Sequence, residues 1–248
     1  MRRVILELWP VFLLLVLWQV GVSTAGYNSI VMVPPGAVVS DLVHFPAVYL
    51  PPVLHTLACA LAGLALGMAA GVLLALATWL SELLAGVMTP FALLLSATPV
   101  VCLIPIIARL FGYDSRSELV AIAVMTFFPS FVYCGAGLRQ LPAMSQDVLR
   151  VLHASRWQYL RLLALPAALP TLATALRVGA TLSVLVALLA EYLMQTGGLG
   201  TLFAVTMQQF HLARALGASA LAMAMSVVLF EIMRALEQRV ATFYRAGS

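Results

Sequence analysis

Long apolar runs alternate with short polar connections along this chain. Windows of about 20 mainly apolar residues, the length that crosses hydrocarbon as a helix, fall at 5–22, 53–79, 86–108, 118–137, 171–193 and 216–236. Between them lie a long connection at 23–52, short turns near 80–85 and 109–117, a more polar stretch at 138–170 and a Gly-rich connection at 194–215. Backbone polar groups in lipid must be satisfied within the spanning segment. The pattern therefore predicts an all-α polytopic membrane protein with about six transmembrane helices.

The basic residues orient it. With the N-terminus inside, Arg2, Arg3, Arg139, Arg150, Arg156, Arg161, Arg234, Arg239 and Arg245 are cytoplasmic, and Arg109, Arg116 and Arg214 are external. Positive charge concentrates on cytoplasmic loops, so the distribution predicts N-in and C-in. The expected organisation is a first helix and external loop over 1–52, a core over 53–236 containing a cytoplasmic loop at 141–170, and a cytoplasmic tail over 237–248. The first segment has a competing reading as a secretory signal, from Arg2-Arg3 to the small residues Ser23-Thr24-Ala25. Glu7 and Trp9-Pro10 suit that reading less well, and the remaining topology is the same under both.

Composition sharpens the picture. The 248 residues are 63% hydrophobic and 9% charged, against about 45–50% and about 25% in soluble domains. Lipid must be the solvent for most of the surface. All 13 basic residues are arginine, which excludes a Schiff-base lysine or a P-loop ammonium. This chain is not itself a Walker-type ATPase. Its arginines are scattered between apolar runs instead of lining one face, which fits a membrane protein better than a nucleic-acid binder.

Cys59, Cys102 and Cys134 lie far apart in apolar stretches with no C-x-x-C and read as small buried hydrophobes. No two of His44, His55, His153 and His211 stand at i,i+4 spacing, so no metal set, cofactor or catalytic residue is expected in this chain. Cys59, Gly63, Gly67, Gly71 and Ala75 share one helix stripe, suited to close packing within the chain or to a subunit interface. The third apolar segment contains Pro90, Pro99 and Pro105. A broken helix there lines a cavity or serves packing. Ser96, Thr98 and Pro99, with Ser183 on the fifth segment, are the candidate substrate-pathway residues. Arg177 and Glu191 stand about 21 Å apart along a helix, too far to pair, and each reads as snorkelling near an interface.

Residues 141–170 carry the most distinctive signal. A first short helix at about 143–152 repeats apolar residues at Met144, Val148 and Leu152. A second opens on a Ser155/Gln158 capping box and is expected to end at Pro166 and Pro170. Such a pair either docks onto a cytoplasmic partner or forms a solvated connection. Asp147-Val148-Leu149, then His153, then Leu163 and Leu165-Pro166, resemble the EAA loop of permease subunits of bacterial ATP-binding-cassette importers. Ala154-Ser155-Arg156-Trp157-Gln158, Phe127-Phe128-Pro129, Gly135-Ala136-Gly137-Leu138, Glu191 and Gly198-Leu199-Gly200 resemble the nitrate, sulfonate, taurine and bicarbonate branch. The likeness runs from about 51 to 236.

This resemblance implies a type I importer permease fold in the bacterial inner membrane, with no catalytic residue in the chain. It implies a separate ATPase dimer holding ATP and Mg, a second permease copy or paralogue, and a periplasmic or lipoprotein substrate-binding protein. It makes Gln146, Asp147, Arg150, Val151, Leu152, His153, Ala154 and Ser155 the ATPase-coupling residues and adds Glu191 as a structural or gating residue. The implied cargo is a small solute of the sulfonate, nitrate-like anion or vitamin-precursor class. The family's usual Glu, Ala, Ala and Gly are here Asp147, Val148, Leu149 and His153. A glycine at that place sits past a helix end with φ > 0, and histidine is among the residues enriched there.

Rival readings need other features. An intramembrane enzyme needs a catalytic constellation at depth, and none is visible in the sequence. A secondary carrier independent of ATP is the stronger alternative, because six spans with broken helices suit one. The two halves show no convincing repeat, and the acidic residues cluster toward segment ends.

Overall fold

A computed structural model describes residues 2–25, 32–141, 147, 149, 151 and 153–246. Its regular structure is helical: α1 Arg2–Ala25, α2 Pro35–His44, α3 Pro46–Leu80, α4 Glu82–Ala97, α5 Val100–Phe111, α6 Ser115–Arg139, α7 Arg156–Met194, α8 Gly198–Gln208 and α9 Leu212–Ala246. Four of these, α3, α6, α7 and α9, are long and apolar enough to cross a membrane, and the bent α4–α5 pair makes a fifth crossing if taken as one. The apolar stretch Phe12–Ala25 of α1 is shorter.

The centre of the bundle is α3, α6 and α7, with α9 packed against α7. Without a hydrophobic drive between helices in lipid, close packing must hold them together. Gly63, Gly67 and Gly71 on α3 supply it. A Cβ at Gly63 would strike Ile122, one at Gly67 would strike Thr126 and the Ala123 carbonyl, and one at Gly71 would strike Phe127 and Ser130. The stripe is thus consumed by α6 inside this chain. From the other side α7 contributes Ala164, Ala168, Ala175, Ala180, Ala187 and Ala190, all fully buried. Large apolar side chains such as Leu73, Leu94 and Leu110 point outward, as a lipid-facing surface requires.

The third apolar segment is broken, as its prolines lead one to expect: α4 and α5 meet at 104°. Thr98, preceding Pro99, is extended at φ −80°, ψ 126°, because the proline ring crowds the α conformation of the residue before it. The prolines at 166 and 170 do not end a second loop helix. The chain runs unbroken from Arg156 to Met194, with a π-turn at Leu160–Ala164 immediately before Pro166. The wider turn re-registers the backbone, so the missing proline N–H is accommodated. α9 continues to Ala246, so the expected tail over 237–248 starts as a continuation of that helix, and Glu237 accepts from Thr174 and Arg177 of α7.

Candidate functional site

Two regions at opposite ends of the α3–α6–α7 core carry chemistry. At one end, Trp79 near the end of α3 stacks on Tyr159 of α7 with ring centroids 6.1 Å apart. The Trp79 indole donates to the Leu138 carbonyl at 3.2 Å, and Arg156 donates to the Leu80 carbonyl at 3.3 Å. These contacts lock the ends of α3 and α6 to the start of α7.

The coupling segment leads into this corner. Asp147, Leu149 and Val151 are helical, and His153 stops the helix at φ 50°. The Ala154 N–H donates to the Leu149 carbonyl at 3.0 Å, a Schellman closure. Ser155 then starts α7. Its hydroxyl accepts from the Gln158 N–H at 3.3 Å while the Gln158 side chain accepts from the Ser155 N–H at 2.8 Å, the reciprocal cap read from sequence. Val151 and Trp157 are 78% and 70% exposed, so the corner presents apolar side chains outward. Gln146, Arg150 and Leu152 fall outside the described residues.

At the opposite end lies a buried carboxylate cluster. Gln195 ends α7 in the left-handed conformation, and Gly197 and Gly198 turn the chain into α8 at φ 118° and 77°. This fold-back aims the N-terminus of α8 at Glu191. The Gly200 N–H donates to Glu191 Oε2 at 2.8 Å, and the Thr56 hydroxyl donates to the same oxygen at 3.0 Å. Thr56 in turn accepts from the Leu199 N–H at 2.9 Å. A carboxylate at a helix N-terminus is favourable through both hydrogen bonds and the helix dipole. Beside it, Glu118 in the first turn of α6 accepts from Thr196 at 2.8 Å. His55 reaches Glu191 Oε1 at 3.4 Å through Nδ1 and Ser115 Oγ at 3.4 Å through Nε2.

The snorkelling reading of Glu191 and Arg177 is therefore corrected. Glu191 is fully buried, and Arg177 pairs with Glu237 at 2.6 Å, beneath the Phe230 ring. His55 and Glu118 both belong to the cluster; the signal for it in the sequence is the i,i+4 pair His55/Cys59, which puts a histidine and a thiol on one helix face. Of the pathway candidates, Thr98 donates to the Leu94 carbonyl at the α4–α5 break, Pro99 is exposed there, and Ser183 is buried and donates to the Ala180 carbonyl; the Ser96 side chain lies outside the described residues. A cavity of about 480 Å³ lies between α7, α8 and α9, lined by Leu188, Tyr192, Phe203, Ser219 and Met223 among others.

Near the same end, Asp41 of α2 clasps Arg214 at the start of α9 through two hydrogen bonds of 3.1 and 3.2 Å, and accepts from the Tyr49 hydroxyl at 2.5 Å. Burial alone would raise the Asp41 carboxyl, but Arg214 and Tyr49 together outweigh it and hold the group below its ordinary value.

An all-helical bundle with this apolar exterior and with Arg139, Arg156 and Arg161 gathered at one end is a polytopic membrane protein. Its relatives say which one. The family described as "Binding-protein-dependent transport system inner membrane component" matches residues 63–242, and the chain belongs to it: a permease subunit of a bacterial ABC importer, not a catalytic enzyme. Members work with ABC ATPase subunits. A probable ABC transporter permease protein of Haemophilus influenzae is 28% identical over 81% of this chain and 82% of its own length. The riboflavin transport system permease protein of Chloroflexus aurantiacus is 30% identical over 78% and 76%. The formylaminopyrimidine transport permease protein of Halalkalibacterium halodurans is 28% identical over 80% and 79%. Among solved structures, an amino acid ABC transporter with histidines superposes with a TM-score of 0.66 at 16% identity, over 80% of this chain and 97% of that one. The inward-facing MetNI methionine ABC transporter gives 0.57 at 18%, over 80% and 93%. These two share the type I importer permease fold.

Proposed function

We propose that this chain, paired with a second permease copy or paralogue, moves a small solute inward by alternating access. Motion enters through Gln146–Ser155 from an ATPase dimer that holds ATP and Mg. The observation that carries this reading is the corner at Val151–Tyr159. A segment exposing apolar side chains is closed by His153 and capped by Ser155, then runs without a break into the 39-residue α7. Displacement of the corner moves α7 as a lever, because the Trp79–Tyr159 stack leaves it little freedom to swivel. The orientation that puts this corner and its arginines in the cytoplasm is N-in and C-in, with the Glu191 cluster facing a substrate-binding protein outside.

Of the three cargo classes, the vitamin-precursor class is best supported. The lining of the α7–α8–α9 cavity is apolar and aromatic with hydroxyls, and it contains no cation among the described residues. Such a lining suits a flat neutral heterocycle better than a sulfonate or nitrate. Relatives named for riboflavin and formylaminopyrimidine point the same way. Proteoliposomes containing this chain, its ATPase and its binding protein should accumulate solute only with ATP. Uptake driven by an ion gradient without the ATPase would instead identify a secondary carrier.

A further inference from the structure

The Glu191 cluster contains more than a helix cap needs. Glu118 and Glu191 are both fully buried, and among the described residues no arginine hydrogen-bonds or pairs with either. Two carboxylates sealed from water, with His55 as their one basic neighbour among the described residues, are costly unless a cation or proton compensates them. Glu118 Oε1 is also a buried oxygen without a hydrogen-bond partner. One nitrogen of His55, the Cys59 sulfur and one carboxylate oxygen of Glu118 lie within 4.8 Å of one another. His55 Nε2 stands 3.9 Å from Cys59 Sγ.

The geometry points to a transition-metal site, with His55, Cys59 and Glu118 as the protein ligands and zinc as the ion they suit. Nitrogen, thiolate and carboxylate donors are the zinc set, and three protein ligands leave a fourth position for water. Magnesium and calcium prefer oxygen donors alone. His55 is already oriented for this role. With its proton on Nδ1, directed at Glu191 Oε1 at 3.4 Å, the ring presents the Nε2 lone pair on the side of Cys59 and of the Ser115 hydroxyl, 3.4 Å away, which the ion would displace as its partner. A carboxylate behind a ligating histidine fixes the tautomer and raises its basicity. Glu191 is thus a positioning residue, held in turn by Thr56 and the Gly200 amide. The ion joins α3 to α6 and, through Glu191, to the α7–α8 turn. It cross-links the outer mouth, so metal occupancy and the opening of that mouth are linked. This assignment does not depend on the ATPase-coupling proposal.

The test uses the full-length protein in detergent or nanodiscs, with Cys102→Ser and Cys134→Ser in all forms so that Cys59 is the sole thiol. Cobalt(II) is the optical probe and zinc the competitor. The expected result is one cobalt per chain with a thiolate-to-metal absorption band, displaced by one equivalent of zinc, and a thermal midpoint that rises with zinc concentration. Cys59→Ala should abolish the band and the zinc-dependent rise. Glu118→Gln should weaken binding, and Glu191→Gln should weaken it about 10–100-fold, the usual effect of losing a residue behind a metal ligand. Each variant is compared only where it elutes as a single species like its parent. Absence of binding by the folded parent, or binding and zinc-dependent stabilisation that persist unchanged in Cys59→Ala and Glu118→Gln, would overturn the assignment.

Discussion

Gly198 shows how little tolerance the Glu191 cluster has. Its φ is 77°, and a Cβ there would run into the Glu191 carboxylate. Gly198→Ala should therefore combine backbone strain with displacement of the cap, costing about 1–3 kcal/mol and lowering the thermal midpoint of the purified protein. Asp41 allows a pH-resolved prediction. Its folded value is lowered, so the Arg214 clasp stabilises above the unfolded value near 4 and loses its contribution as pH falls through the folded value. Asp41→Asn should cost about 1–3 kcal/mol at pH 7, with the gap from wild type narrowing below about pH 4. A gap independent of pH would mean that packing, not charge, is what Asp41 supplies. Glu191 was legible in the sequence only through its family resemblance. Its burial was not, because burial depends on the turn at Gly197-Gly198 folding α8 back over it. Glu118 was illegible for a related reason: its neighbours His55 and Cys59 lie about 60 residues earlier, and helix periodicity carries no information about contacts between helices.

Helices α3 and α6 meet through glycine, and that contact was half visible beforehand. The four-residue spacing of Gly63, Gly67 and Gly71 announces a close approach, but not which helix makes it. A bulkier side chain at Gly67 must push against the α6 backbone at Ala123. Gly67→Val should destabilise by at least about 1–3 kcal/mol and sharply reduce the yield of monodisperse protein. Gly86, exposed on α4 with nothing near its Cβ position, is the control, and Gly86→Ala should be neutral or stabilising. His153 makes the opposite argument. Because the helix end demands φ 50° there, His153→Gly should preserve or improve stability, whereas His153→Val should cost about 1 kcal/mol. Thermal unfolding of the pair decides it, and equal midpoints would remove the left-handed turn from the account. The prolines act unequally. Pro99 breaks its segment more completely than a kinked span would, while Pro166 breaks nothing, since a π-turn had already shifted the backbone register.

At the scale of the molecule, the apolar periodicity was enough to give an all-helical membrane protein. What a window of apolar residues cannot sense is the 104° bend between α4 and α5. The arrangement that matters for function is that α3, α6 and α7 bring their ends together twice. One end is locked by an aromatic stack beside exposed apolar residues, and the other is closed by buried carboxylates. In the alternating access proposed above, a push on the first end would be carried to the second by these glycine-packed helices. The most direct measurement is coexpression of the chain with its ATPase subunit, followed by purification of wild type and Val151→Glu through a tag on the permease. Stoichiometric ATPase is expected with wild type and at least a tenfold loss with Val151→Glu, equivalent to about 1.4 kcal/mol, while the variant still elutes as a folded single species. Equal recovery of the ATPase with both forms, or none with either, would contradict the claim that the segment before α7 is where the motor grips.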